Sequence, residues 1–223
     1  MYYFLTASKD TTIFSQQPIQ NTGLDEVLEV SKVYYGDLKD TARSLVKFDL
    51  NSLSSKLSSG DVTMSKAEII LRETQPSEIP LQYSIHIHPI SQSWEMGVGT
   101  RFDNISTDGC TWNYRKSGSK WLPTEIPNGG LATGSYNGNG GMWYTASEQT
   151  QSYEYQSTDL EVDVSSSLSF WLDDNYPNEG FIIKHADTKE NDDVDYGQLK
   201  FFSKDTNTIY QPKIRIGWDD SRY

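Results

Sequence analysis

RSLVKFDL, residues 43–50, alternates with the period of an extended chain. Val46, Phe48 and Leu50 fall on one side; Arg43, Leu45, Lys47 and Asp49 fall mostly on the other. Successive side chains of a strand point to opposite faces, so the spacing predicts a half-buried β-strand. Asn51-Ser52-Leu53-Ser54-Ser55 follows at once and is rich in side chains that cap helices or close turns. The strand therefore ends sharply, and its apolar side sets the core face against which other strands must register.

Toward the N-terminus, Thr11-Thr12-Ile13-Phe14 is a short β-prone segment, and Pro18 confines the next residues to an edge or loop. Asn21-Thr22-Gly23 is a turn signal. Leu24–Val30 reads as a strand with Leu28 and Val30 inward. Toward the C-terminus, Ser52–Leu57 predicts one short helical turn, broken at Gly60-Asp61. Ala67, Ile69 and Leu71 mark the next half-buried strand, and Leu81, Tyr83, Ile85 and Ile87 the cleanest alternation in the chain. Further strands are expected at Leu160–Val164, Gly180–Ile183, Leu199–Phe202 and Ile214–Trp218. Ser165-Ser166-Ser167 can cap a short helix carrying Leu168, Phe170, Trp171 and Leu172. Many short strands, polar turns and one or two short helices predict an all-β chain, a single jelly-roll-type β-sandwich over residues 1–223.

Between Ser91 and Gln156 the alternation fades. Ten of the sixteen glycines and four of the six tryptophans lie there, so residues 91–156 read as a long aromatic, glycine-rich insertion of loops. So long an irregular stretch within one domain is usually functional or covers a core opening. Disordered segments are poor in aromatics, which argues for order.

Apolar residues are 35% of the 223 and aromatics 13%, so the core leans on Tyr, Phe and Trp. A formal charge of −12 argues against general binding to nucleic acid or an anionic membrane, which needs basic patches. Cys110 is the only cysteine, which excludes a disulfide framework and a thiolate cluster; it reads as a small buried residue. No apolar run has the length of a membrane span. The start, MYYFLTASKDTTIF, lacks a basic region followed by an apolar stretch, so no signal peptide is expected and synthesis in the cytoplasm follows.

Candidate chemistry is sparse. His86 and His88 share a face of the expected strand, but with His185 they fall short of the four ligands of structural zinc, so they read as the strand's exposed face. Side chains of the adjacent pairs Asp173-Asp174 and Asp219-Asp220 diverge on extended backbone and make no glycosidase pair. P-loop, nucleophile-elbow and HExxH signatures are absent, and no enzymatic activity is expected. The acidic run Glu190–Asp195 reads as a solvated loop. Trp94 and Trp112 are expected to plug one end of the sandwich. Met142, Trp143 and Tyr144, with Tyr136, sit beside Gly138, Gly140 and Gly141 and are expected to form a contact surface, since aromatics are enriched at interfaces. The opposing outcome is that they fold back onto the domain's own core.

The order DTTIFSQQPIQNTGLDEVLEV, RSLVKFDLNSL, AEIIL, SQSWEMGVGT, GCTWNYRKSGSKW, LEVDVSSSLSFWL, NEGFIIK and FFSKDTNTIYQPKIRI resembles the DNRLRE-domain, a β-sandwich related to carbohydrate-binding modules. The resemblance covers nearly the whole chain, which is also similar to structural proteins of T4-like marine bacteriophages. It implies a non-enzymatic component of a tailed-phage virion, on the capsid, neck, tail or baseplate, docking on other virion proteins in multiple symmetric copies. The alternative it implies is a carbohydrate-binding module for adhesion to host-surface glycans. Neither role involves nucleic acid or membrane, and the resemblance implies no cofactor beyond a structural calcium, with Asp187, Asp192, Asp193 and Asp195 as candidate ligands.

Overall fold

The computed structural model describes residues 1–58, 63–77, 80–122, 132–134, 139–145, 147–154, 159–173 and 176–219. Its first half comprises β1 (Tyr2–Phe14), β2 (Val27–Tyr35), β3 (Leu38–Phe48), α1 (Asn51–Ser58), β4 (Thr63–Leu71) and β5 (Gln82–Pro89). Short pairs follow, β6 (Tyr114–Lys116) with β7 (Ser119–Lys120), and β8 (Ala132–Gly134) with β9 (Met142–Tyr144). The remainder is β10 (Gln149–Glu154), β11 (Leu160–Asp163), α2 (Ser165–Leu172), β12 (Phe181–His185), α3 (Asp187–Glu190), β13 (Gly197–Phe202) and β14 (Lys213–Asp219).

β3 is the hub. One edge runs along β1, Ala42 to Phe48 against Phe14 to Ala7. The other edge is shared: Ser44 to Val46 pair with β12, and Leu38 to Ala42 with β2. β1 in turn belongs to two halves of the structure. Tyr2–Thr6 pair with β14, whereas the residues from Ala7 on pair with β3, with a register shift between Ala7 and Lys9. Such a bulge bends a strand and lets it pass between two halves of a sheet. The strand order β10-β5-β12-β3-β1-β14-β4-β11 is antiparallel throughout. It nearly closes, because Gln151 of β10 hydrogen-bonds Asp159 and the Glu161 amide of β11.

Both halves feed one core. Val46 and Phe48 meet Ile69, Leu71, Ile85, Ile87, Phe181, Ile214 and Ile216 there. The expected inward Leu28 and Val30 are buried in it as well. The long expected strands are present, with β1 much longer than Thr11–Phe14 and β2 starting at Val27 rather than Leu24.

β3 departs from the half-buried expectation. Leu45 and Arg43, on its supposedly open side, are buried too. A second core of Ile13, Leu45, Ile90, Trp94, Cys110, Trp121, Met142, Trp143 and Ile182 covers that face, with Trp112 packed against it. Described residues of the insertion, Trp94, Cys110, Trp121, Met142 and Trp143, therefore lie over the outer face of β3 and β12. Trp94 and Trp112 cover this face rather than plugging an end. α2 begins at Ser165 without the expected serine cap. Ser165 instead donates to Asp163 and accepts the Ala67 amide, so its hydroxyl ties the helix start to β4. Asp174, Asp220 and the Gly60-Asp61 break lie outside the described residues.

Candidate functional site: a buried charge layer and a histidine–carboxylate cluster

The outer face of β3 and β12 carries two cations under the insertion. Arg43 grips Glu190 of α3 through two hydrogen bonds, Nη2 to Oε2 at 2.5 Å and Nε to Oε1 at 3.1 Å. Lys184 lies 2.6 Å from Asp187 and 3.3 Å from Glu190. The Arg43 guanidinium sits 4.7 Å from the Trp112 ring and 5.2 Å from that of Trp143, and Lys184 Nζ is 5.0 Å from the Trp143 ring. Two cations thus meet two carboxylates between indole faces, an arrangement that offsets the cost of burying charge. Burial alone would raise the Glu190 pKa, but Arg43 and Lys184 outweigh it and hold the group below its ordinary value. Within the run expected to be solvated, Glu190 is the exception, since it is buried, whereas Asn191, Asp193 and Asp195 are exposed.

Met142, Trp143 and Tyr144 form β9 and are buried, Trp143 at 1% exposure. The expectation that they stand exposed as a contact surface is corrected: Met142 and Trp143 pack in the protein's own second core, and Tyr144 is buried with its ring 4.7 Å from that of Tyr176. Two of the glycines that suggested a presenting loop, Gly140 and Gly141, serve this packing, and Gly138 lies outside the described residues. Gly140 and Gly141 hold φ of +77° and +97°, and a Cβ on Gly141 would lie 2.7 Å from Ile182 Cδ1. Only glycine permits both the dihedral and the approach. The Gly140 carbonyl accepts from Arg43 Nη1, so the turn is bolted to the charge layer. Tyr136 lies outside the described residues.

The calcium candidates are engaged separately. Asp187 faces Lys184, and Asp192 Oδ1 lies 2.6 Å from the fully buried Lys32 Nζ. The Lys32 hydrogen bond leads the interactions that hold the Asp192 pKa at about 2. Asp195 accepts amides of Tyr34 and Gly197, and Asp193 is exposed. The structure does not bring these four carboxylates to one point; lysines or amides face Asp187, Asp192 and Asp195.

It does bring together a set that sequence spacing left incomplete. His86 and His88 project from the same side of β5, opposite Tyr83, Ile85 and Ile87 of the main core. β10 pairs with β5 so that Gln149 lies opposite Ile87, which puts Glu148 at the level of His88. Single ligand atoms of His86, His88 and Glu148 all lie within 4.8 Å of one another. His86 Nδ1 contacts Glu148 Oε1, and its Nε2 is 3.4 Å from Ser84 Oγ. The His86 and His88 rings stack at 6.2 Å, and Trp143 lies 5.7 Å from His88. His88 is buried, which corrects its assignment to an exposed face. Desolvation pushes its pKa down to about 4, so the ring is neutral at pH 7. Glu148 was missed because it is 60 residues away in sequence; only the β5–β10 register reveals it.

Another unforeseen feature is Asn21, fully buried. Its amide donates to the carbonyls of Met96 and Cys110, both at 2.7 Å, and its oxygen accepts the amides of Gly23 and Gly99. Gln20 adds bonds to the Thr100 carbonyl and the Ser106 amide. The loop thus pinned presents Val98, Phe102 and Ile105 to solvent, Phe102 at 90% exposure. Arg101 stacks 3.8 Å from the Phe14 ring and pairs with Glu29 at 3.0 Å, which fixes the base of the loop. The Cys110 thiol is buried beneath it, and burial pushes its pKa well up, so it is not a nucleophile at neutral pH.

No protein-family model and no curated protein matches this chain. Among the described residues, no helix is long and apolar enough to cross a membrane.

Proposed function

We propose that this chain is a non-enzymatic structural component of a tailed-bacteriophage virion, a jelly-roll-type β-sandwich that docks on other virion proteins. The observation that carries the reading is the loop with Val98, Phe102 and Ile105. Large apolar side chains are exposed there on a backbone held rigid by the buried Asn21 and Gln20. Apolar surface held out by a rigid frame suits protein contact, because association then orders little further chain. The likeness of the sequence order to phage structural proteins supports the same reading. Mass spectrometry of purified particles of the encoding virus is the test. The chain is expected in them at a fixed copy number, and its absence would sink the proposal.

The second reading, adhesion to host glycans, rests on a different place. An open cleft is lined by Asp49, Asn51, Tyr176 and Asn178, polar groups beside a partly exposed aromatic ring, as sugar binding requires. The tryptophans of the insertion do not support it, since Trp94, Trp121 and Trp143 are buried. Binding on a glycan array that Asn178→Ala abolishes would favour this reading.

A further inference from the structure

The geometry points to a divalent transition-metal site of the zinc type, with His86, His88 and Glu148 as its three protein ligands. This goes beyond the docking role and does not depend on it.

Two imidazoles and one carboxylate are the donor set that zinc takes when it keeps a fourth position for water. The three donors here come from adjacent antiparallel strands, and their ligand atoms lie within 4.8 Å of one another. Zinc bonds of about 2.0–2.2 Å at tetrahedral angles set donor atoms about 3.3 Å apart. The set is therefore close to the required size. The direct His86–Glu148 contact must open slightly, and Glu148, exposed on the edge strand side, is free to move outward.

Second-layer groups fit the role. If His86 ligates through Nδ1, its Nε2 faces Ser84 Oγ, the kind of partner that fixes ring orientation in metal sites. Trp143 packs on His88 and limits its rotation. His88 Nδ1 is buried without a hydrogen-bond partner among the described residues, which marks this imidazole as not satisfied by the protein alone. Lys184, on the neighbouring strand β12, already faces Asp187 and Glu190, so its charge is largely answered. Ser147, just before Glu148, holds a φ of 67°, a left-handed conformation that a non-glycine residue adopts only where the surroundings enforce it.

The test uses the untagged full chain, stripped of metal and titrated with Zn²⁺ at pH 7.5 by calorimetry, with Co²⁺ absorption as a report on ligand geometry. One Zn²⁺ per chain is expected, with a rise in Tm. Glu148→Gln and His86→Ala are each expected to weaken binding about tenfold or more. Both residues are at least partly solvent-facing, so the variants should fold; unchanged circular dichroism in the absence of metal checks this. If His86→Ala does not fold, Glu148→Gln decides alone. No saturable Zn²⁺ uptake by the wild type, or uptake undiminished by the substitutions that fold, would show an ordinary His–Glu ion pair only and overturn the assignment.

Discussion

Asp10 is a carboxyl with almost no access to water, and desolvation raises its pKa to about 7 despite the hydrogen bond from the Lys204 amide. A group whose folded pKa lies above its unfolded one stabilises fully below the unfolded value, and loses that contribution as pH rises through the folded value. Asp10 should therefore weaken the fold progressively from about pH 4 to pH 7, by up to roughly 4 kcal/mol at 1.36 kcal/mol per pH unit. His88 and His185 act oppositely. Burial lowers both to about 4, so their contribution is present above pH 6.5 and lost as pH falls toward 4. Two histidines against one aspartate leave a net gain of stability from pH 4 to 6.5. Asp10→Asn should steepen that gain and raise stability at pH 8; urea unfolding across pH 4–8 measures it, and an unchanged pH profile would refute the assignment. Asn21 is the other residue whose weight is out of proportion to its size. Asn21→Ala removes the partner of two carbonyls and one amide of the insertion and of the Gly23 amide, so a loss of about 3 kcal/mol is expected in the same measurement. Nothing local in Asn21-Thr22-Gly23 distinguishes a turn from a clamp, because the bonded carbonyls lie 75 and 89 residues away.

β3 carries the same lesson at the next scale. Its period-two side was legible because Val46 and Phe48 meet a core built from equally regular strands. Phe48→Ala, at a fully buried site, should cost roughly 3–5 kcal/mol in denaturant unfolding. A midpoint that hardly moves would remove β3 from the centre of the fold. Its other side was not legible, because the cover is a loop region without periodicity. Leu45 alone among Arg43, Leu45 and Lys47 is apolar there, and a buried arginine looks like a surface one until Glu190, 147 residues on, is placed beside it. The same gap explains β9. Gly140-Gly141 followed by Met142-Trp143-Tyr144 fits a presented loop and a tucked one equally well in sequence. The tucked outcome has a direct consequence. Trp143→Ala with Tyr144→Ala should lower Tm steeply, with a loss on the order of 5 kcal/mol, since it opens a cavity and strips an indole face from Arg43 and Lys184. Retained stability in that variant would return these residues to the surface.

The whole molecule combines a charge of −12 with scattered exposed apolar side chains, of which Val98, Phe102 and Ile105 stand together on one pinned loop. Like-charged copies repel at long range, so the bulk surface disfavours unspecific association, and apolar contact has to act where the charge is locally answered. Arg101 gives such a place: it pairs with Glu29 and lies 5.4 Å from the ring of the exposed Phe102. Phe102 and Ile105 make little contribution to the fold, because they are largely in water. Replacing both with Asp should leave Tm within a few degrees, as surface substitutions usually change stability by no more than about 0.5 kcal/mol. On the proposed virion role, the same variant should fail to enter particles, because docking would bury two carboxylates against an apolar partner without counter-charge, at a cost of several kcal/mol. The two readouts together separate the cases. A stable variant missing from purified particles places the contact on this loop; a stable variant incorporated at the normal copy number moves the contact elsewhere on the surface.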